Sequence, residues 1–280
     1  MNTSQKTMKA ITMHGFGGAD VLAYETVSLP LPGDEQIVLQ VAYAGVGKWD
    51  IYEREGLFAQ MLPGKPTFPY ILGSEGSGKV VAVGKKVTRF KQGDMAYGMV
   101  PARSPKAGFY AEYVAVDTSQ AWLIPSRMTV QQAAALALDG GTALRGLQDT
   151  LQIGENSSLM IIGASGGVGH LAVQIAKHMG ARVFAVASGE DGVQLALSLG
   201  ADTAVDGKTT DVVTAARQFA PNGIDAALVT AGGPTIANML HAVTAGGRIA
   251  YPNVVRLDPS DQAIGYNADY DTKLMNQLNT

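Results

Sequence analysis

The chain contains no cysteine. That absence excludes disulfides, thiolate metal ligands and a cysteine nucleophile together, and it suits a reducing, cytoplasmic setting. Histidine is scarce: His14, His170, His178 and His241 are scattered without ligand spacing, and none is assigned chemistry. Charged residues make up only 16% of the chain and its net charge is −3, so it lacks the basic footprint that nucleic acid requires. No apolar stretch reaches the length that crosses a bilayer, and MNTSQKTMKAITMHGFGG at the N-terminus has no signal-peptide core. What remains is a globular composition, 46% hydrophobic over 280 residues, long enough for two domains.

Glycine is plentiful, and its placement carries the reading. Residues 157–188, SSLMIIGASGGVGHLAVQIAKHMGARVFAVAS, read as strand, glycine-rich turn, helix and strand. Leu159–Ile162 is a short apolar run of the kind buried on both faces of a parallel sheet. Ala164, Gly166 and Gly169 occupy the small-residue positions of a GxGxxG fingerprint, with alanine standing first. Leu171, Ile175 and Met179 recur at helical spacing, Gly180 stands where a C-terminal cap is expected, and Val183–Ala187 is the next strand. A helix N-terminus preceded by free backbone N–H groups attracts an anion, here the pyrophosphate of a dinucleotide.

The rest of the chain falls on either side of Pro125. Before it, KAITMH, IVLQVAYAGV, GSGKVVAVG, DMAYGMV and YAEYVAV are short β-like runs broken by glycine and proline, as in a compact antiparallel domain. From Thr129 the period becomes helical, with an alanine-rich segment through Leu138 and a further helix over Thr142–Leu151. Beyond it, strands are expected at Leu159–Ile162, Val183–Ala187, Ala204–Val205, Ala226–Ala231, Arg248–Tyr251 and Ala263–Tyr266. The connecting helices are Leu171–Met179, Val193–Leu199, Asp211–Phe219 and Ile236–Val243, an alternation that predicts a doubly wound sheet. The expected fold class is therefore α/β, a Rossmann domain over residues 125–280 preceded by a β-rich domain over 1–124.

GSEGSGKVVAVGKKVTRFKQGDMAYG from Gly73 to Gly98, with GFYAEYVAV, GASGGVG and TAGGRIAY, resembles the medium-chain dehydrogenase/reductase superfamily, most closely its zinc-free, zeta-crystallin-like quinone oxidoreductase branch. The resemblance implies a GroES-like catalytic domain before the Rossmann domain, with nicotinamide in the cleft between them, and a homodimer formed through the last Rossmann strands. It also implies closing strands after the sixth Rossmann strand; this sequence stops inside DTKLMNQLNT, so those elements are expected to be missing from the first domain. In the zinc-dependent branch a cysteine stands at the place of Gly47 and a histidine at that of Ser74, and neither replacement binds zinc. Glu75 keeps the carboxylate of that motif as a hydrogen-bonded structural residue, the four-cysteine lobe is replaced by the short loop Met99–Gly108, and no metal residue is assigned. Without a Lewis acid the implied reaction is hydride transfer from reduced nicotinamide to a quinone or other conjugated carbonyl, an enone or alkenal. The alternative from another class is an NADPH-binding sensor or scaffold protein with little catalysis.

By the resemblance, Ser165, Gly166, Gly167 and Val168 follow Ala164 in the turn and present backbone donors to the pyrophosphate. Thr142 in GGTAL is either a nicotinamide neighbour or a helix cap. Ala231 and Gly232 end one strand, and Tyr251 to Asn253 end the next, at the carboxyl edge where doubly wound sheets bind ligands. Ala187 stands where an acidic residue would repel a 2′-phosphate, and Ser188 offers a donor, so NADPH is favoured over NADH. Against this, the family lysine is Gly192 here, the family tyrosine is Gly207, Glu190 and Asp191 add negative charge, and Lys208 is an isolated loop lysine. On the catalytic side Tyr52 either hydrogen-bonds an acceptor carbonyl or packs, whereas Asp50 reads as a structural cap. The loops Tyr52–Gly64 and Met99–Gly108 would shape the substrate cleft.

Overall fold

The computed structural model describes residues 6–59, 65–101, 106–255, 262–267 and 272–279; the end of the first cleft loop, 60–64, and the middle of the second, 102–105, lie outside these. Two compact units are present: Met1–Leu138 with Tyr270–Thr280, and Asp139–Asp269.

In the first unit, β1 (Thr7–Met13) pairs antiparallel with β2 (Leu22–Ser28), from Thr7 opposite Ser28 to Met13 opposite Leu22. Period-two alternation drives this: Met8, Ala10 and Thr12 point inward while Lys9 faces water. After β3 (Gln36–Ala44) and α1 (Lys48–Arg54) comes β4 (Tyr70–Ile71), which joins the other edge of β1. With β5 (Glu75–Val83), β6 (Met95–Met99), β7 (Tyr113–Asp117) and β8 (Ala121–Leu123), a second sheet forms in the order β7-β3-β5-β6-β8, antiparallel throughout. Ile37, Leu39, Val80, Phe90, Val114 and Val116 fill its core.

The short α2 (Val130–Ala133) belongs to this unit although the helical pattern begins after Pro125. Ser77 Oγ donates to Val130 O at 2.6 Å, and the Leu138 N–H donates to Glu75 Oε2 at 2.7 Å, which ties this helical stretch to β5. The division between units therefore falls inside α3 (Ala137–Arg145).

In the second unit, β9 (Ser158–Ile162), β10 (Arg182–Ala187), β11 (Thr203–Asp206), β12 (Ile224–Val229), β13 (Val243–Pro252) and β14 (Ile264–Tyr266) form one parallel sheet in the order β11-β10-β9-β12-β13-β14. That is the doubly wound order, reversing direction at β9 and β12. The helices are α4 (Gly167–His178), α5 (Gly189–Ser198), α6 (Val212–Phe219) and α7 (Ile236–Leu240). Alternate residues of β9 feed opposite cores: Leu159 and Ile161 pack with Ala172, Val173 and Ala196 of α4 and α5, whereas Met160 and Ile162 pack with Val212, Ala216 and Met239 of α6 and α7. A terminal helix, α8 (Thr272–Leu278), returns to the first unit, where the Tyr97 hydroxyl donates to Asn279 Oδ1 at 2.9 Å.

Two expected helices differ. The helix over Thr142–Leu151 is α-helical only through Arg145 and continues as a π turn over Gly146–Thr150. Tyr266 explains this locally: its hydroxyl fills the place of a Cβ at Gly146 and donates to Thr142 O at 3.0 Å. The helix after β12 ends at Leu240 rather than Val243, because Val243 pairs with Ile224 as the start of β13.

Candidate functional site: a glycine turn at the sheet edge and a buried ionic cluster

The sheet order brings most of the expected nucleotide residues to one edge. Ile162 pairs with both Val186 and Val229, and Leu228 pairs with Ala250, so β9, β10, β12 and β13 end side by side. At the β9 end Gly163 takes φ +87°, which a side chain rarely adopts, and the chain turns sharply into α4. The Thr230 hydroxyl locks this corner by donating to Ile162 O (2.9 Å) and Gly163 O (3.2 Å). Ala164 is fully buried and its N–H is bonded to Val186 O, so it anchors the turn to β10. Ser165 is half-buried, Gly166 and Gly167 are exposed, and Val168 is half-buried, which leaves the start of α4 open to solvent.

The glycines here have separate reasons. At Gly169 a Cβ would collide with Gly163 O, so only hydrogen lets the helix approach its strand. At Gly166 a Cβ would meet nothing nearer than Gly163 O at 3.3 Å, leaving a cradle that an approaching phosphate can fill. The first N–H groups of a helix have no intrahelical acceptor, and α4 at twelve residues adds its dipole to them. Diphosphate chemistry fits this donor set. At Gly167 a Cβ would collide with Asp139 Oδ2, a carboxylate brought from the first turn of α3.

Ser188 is the exposed N-cap of α5, and its side chain makes no capping hydrogen bond. The two departures noted near it have packing reasons. A Cβ at Gly192 would lie 2.9 Å from Ser165 Oγ, and one at Gly207 would lie 2.7 Å from Val186 Cγ1. Asp206, opposite Ala187 in register, accepts the Lys208 N–H at 3.0 Å, and that bond leads the interactions that hold its carboxyl below the usual aspartate range. Ala231 is half-buried and Gly232 exposed just past β12. Tyr251 and Asn253 sit at the β13–β14 side: the Asn253 N–H donates to Tyr266 O, and its Nδ2 donates to Asn267 Oδ1 at 2.6 Å. Thr142 is buried beside Tyr266, whose phenol is pushed upward in pKa by burial.

Tyr52 lies in the first unit. Half-buried on α1, it meets Phe58 edge-on at 6.5 Å and has the Lys48 ammonium 5.9 Å from its ring centre; Phe58 in turn stacks on Trp49 at 4.0 Å. Asp50 closes α1 by accepting the Gly47 N–H at 2.9 Å. Nearby is a feature that no motif announces. Lys106, fully buried, donates to Glu53 Oε2 at 2.6 Å and to Ser74 Oγ at 3.0 Å, while the Tyr70 hydroxyl donates to Glu53 Oε1 at 2.6 Å. Burial, then the Glu53 charge, raises the Tyr70 phenol's pKa; burial, then the charge of Asp50, does the same for Tyr110. Among the described residues, Asp50 Oδ1 and the Tyr110 hydroxyl are buried without a well-formed hydrogen bond, and no three of His, Asp or Glu gather as metal ligands. Nor is any helix among them long and apolar enough to cross a membrane. A lone lysine in SPKAG carries no sequence signal of its partners, and neither does Asp139.

An antiparallel β unit followed by a doubly wound unit with an open glycine turn is the architecture of a nucleotide-dependent dehydrogenase. Residues 33–126 match the family described as alcohol dehydrogenase GroES-like domain, and residues 167–259 that described as zinc-binding dehydrogenase. The quinone oxidoreductase of Homo sapiens is 30% identical over 251 residues, 89% of this chain and 74% of that protein. The Sus scrofa quinone oxidoreductase is 32% identical over 251 residues with the same coverage. A solved quinone oxidoreductase from Coxiella burnetii superposes with a TM-score of 0.84 at 25% identity, covering 98% of this chain and 87% of that one. The chain belongs to the medium-chain dehydrogenase/reductase superfamily, in its quinone oxidoreductase branch. It is an oxidoreductase of the medium-chain type, a class that works with a nicotinamide cofactor and a small-molecule substrate.

Proposed function

We propose that the protein is an NADPH-dependent reductase that delivers hydride to a quinone or another conjugated carbonyl, an enone or alkenal, without zinc. The observation that carries this reading is the open start of α4 behind a tight glycine turn in a chain of this family. When bound, dihydronicotinamide supplies the hydride; the protein supplies position and electrostatics. Ser165, Gly167 and Val168 offer main-chain donors to the diphosphate, with Ala164 holding their turn; Gly166, whose N–H is spent on Gly163 O at 3.0 Å, gives the open space for its approach. Thr142, Ala231, Gly232, Tyr251 and Asn253 flank the nicotinamide half. Ala187 places no carboxylate at the end of β10, Ser188 offers a hydroxyl and Lys208 a positive charge, a set that accepts a 2′-phosphate. Asp206, kept ionised opposite Ala187, opposes it, as do Glu190 and Asp191 in the first turn of α5.

Donor chemistry supports the metal-free part. Gly47 and Ser74 stand where the zinc-dependent branch has its cysteine and histidine, and Glu75 is engaged with the Leu138 N–H. Ser74 Oγ is committed to the Lys106 ammonium, whose charge is matched by Glu53, so this hydroxyl is engaged within the protein. A conjugated carbonyl already has an electrophilic carbon, so it needs only orientation and a hydrogen-bond donor to its oxygen. Tyr52 takes that donor role in this reading; the first unit, whose strands lie within residues 1–124, binds the acceptor, and the second unit, which lies within residues 125–280, holds the cofactor. The protein works in a reducing cytoplasm as a homodimer, for which β14, the half-exposed edge of the parallel sheet, is the surface.

Spectrophotometric NADPH oxidation against a panel of quinones and alkenals, beside NADH and with metal analysis of the same sample, is the test. Turnover with at least one acceptor at sub-stoichiometric zinc is expected. Tight NADPH binding with no turnover would replace the enzyme by a sensor or scaffold, and folded protein that binds neither nucleotide would end both readings.

A further inference from the structure

We propose that Tyr266 is a positioning residue for the nicotinamide half of the cofactor, because it ties the Thr142 turn of α3 to the end of β13. This rests on the dinucleotide reading above. Two hydrogen bonds of one residue make the tie. The Tyr266 carbonyl accepts the Asn253 N–H at 3.0 Å, just past Pro252, which lies opposite Tyr266 in the parallel pairing of β13 with β14. The Tyr266 hydroxyl donates to Thr142 O, also at 3.0 Å, across 124 positions of sequence. Thr142 is 6% exposed and Tyr266 7%, and the Tyr266 ring belongs to the core that holds Ala143 and Leu147 together with Leu228 and Ala250, so the hydroxyl is fixed in place.

The backbone around the contact is shaped for it. At Gly146 the phenol fills the space of a missing side chain, and the helix widens there into the π turn over Gly146–Thr150, a departure from regular geometry that recurs at functional sites. Burial raises the phenol's pKa, so it stays protonated and remains a donor. Loss of the hydroxyl would leave a buried carbonyl unpaired and let the Thr142 turn shift relative to Asn253. Hydride transfer tolerates little misplacement of the reacting ring. In the same reading the diphosphate and adenosine rest on the turn after β9 and the end of β10, and both hydrogen bonds of Tyr266 lie away from those segments.

Calorimetric titration into wild type, Y266F, T142V and the double variant tests this, with two ligands: NADPH, and 2′-phospho-ADP-ribose, which lacks only the nicotinamide. NADH and ADP-ribose form a second pair, and melting temperatures are recorded without ligand. Y266F should bind NADPH about fivefold more weakly, the worth of one hydrogen bond, and keep its affinity for 2′-phospho-ADP-ribose within about twofold of wild type. T142V should show the same split between the ligands, and Y266F should add little in the T142V background, because the two residues act as one unit. Equal weakening of both ligands by Y266F, or a lower melting temperature with binding unchanged, would make Tyr266 a structural residue only and overturn the proposal, leaving the dinucleotide reading intact. So would unchanged NADPH binding in T142V, or a Y266F effect undiminished in the double variant. Folded wild type that binds neither pair overturns both.

Discussion

Replacing Lys106 by methionine probes the buried ionic cluster directly, since methionine keeps most of the side-chain volume and removes only the ammonium. Side-chain exposure is 0% for Lys106 and 2% for Glu53, so neither charge is screened by water. The substitution strips Glu53 Oε2 of its 2.6 Å partner and leaves Ser74 Oγ without that donor, while Tyr70 still serves Oε1. A carboxylate left buried with one neutral donor should make K106M less stable by about 3–5 kcal/mol. E53Q/K106M removes both charges, and glutamine still accepts from Tyr70, so the double variant should recover to within about 2 kcal/mol of wild type. Both tryptophans, Trp49 and Trp122, lie in the first unit, so fluorescence-detected urea unfolding reports on the unit concerned. The double-mutant cycle then gives the coupling. A K106M loss below about 1 kcal/mol, or a double variant no better than K106M alone, would refute the argument that this pair is desolvated and mutually dependent.

Gly169→Ala should abolish NADPH binding and lower stability by about 1–3 kcal/mol, because its Cβ meets the rigid Gly163 carbonyl; calorimetry and thermal melting read the two effects. Tyr266→Phe leaves the buried Thr142 carbonyl without its 3.0 Å donor and should reduce stability by about 1 kcal/mol in denaturant unfolding. For Asp202, burial raises the carboxyl's pKa, but Lys177 (2.7 Å) and the Val183 N–H outweigh it and hold the group below the usual aspartate range. Its charged form is thus favoured by folding. D202N should weaken the protein by about 1 kcal/mol at neutral pH, the group being partly exposed, and the difference from wild type should vanish as pH falls through the lowered folded pKa. Incubation with a strong chelator should leave NADPH-dependent turnover unchanged, measured beside a zinc-reconstituted sample.

The doubly wound half was readable because its signals are local. A strand with four consecutive apolar residues, a glycine turn and a helix with apolar residues at i, i+4 and i+8 follow one another without interruption, so β9, α4 and β10 fall where periodicity puts them. Boundaries failed where a distant residue intervened. Nothing in GLQDT foretells a π turn, which forms where Tyr266, more than a hundred positions along, presses on Gly146. Likewise Val130–Ala133 has a helical pattern, yet its attachment to β5 through Ser77 is a long-range hydrogen bond. Gly192 and Gly207 looked like missing recognition residues; packing against Ser165 and Val186 gives them another reason.

The sequence by itself determined the order of elements, the glycine turn after β9 and the absence of thiolate ligands, because hydrophobic period, glycine spacing and residue chemistry act over a few neighbours. Only the tertiary structure decided which charges meet. Lys106, Glu53 and Ser74, and likewise Asp139 and Gly167, are brought together by strand pairing and helix packing across dozens of residues. Electrostatic partnership depends on distance and burial in three dimensions, and neither is encoded by adjacency along the chain.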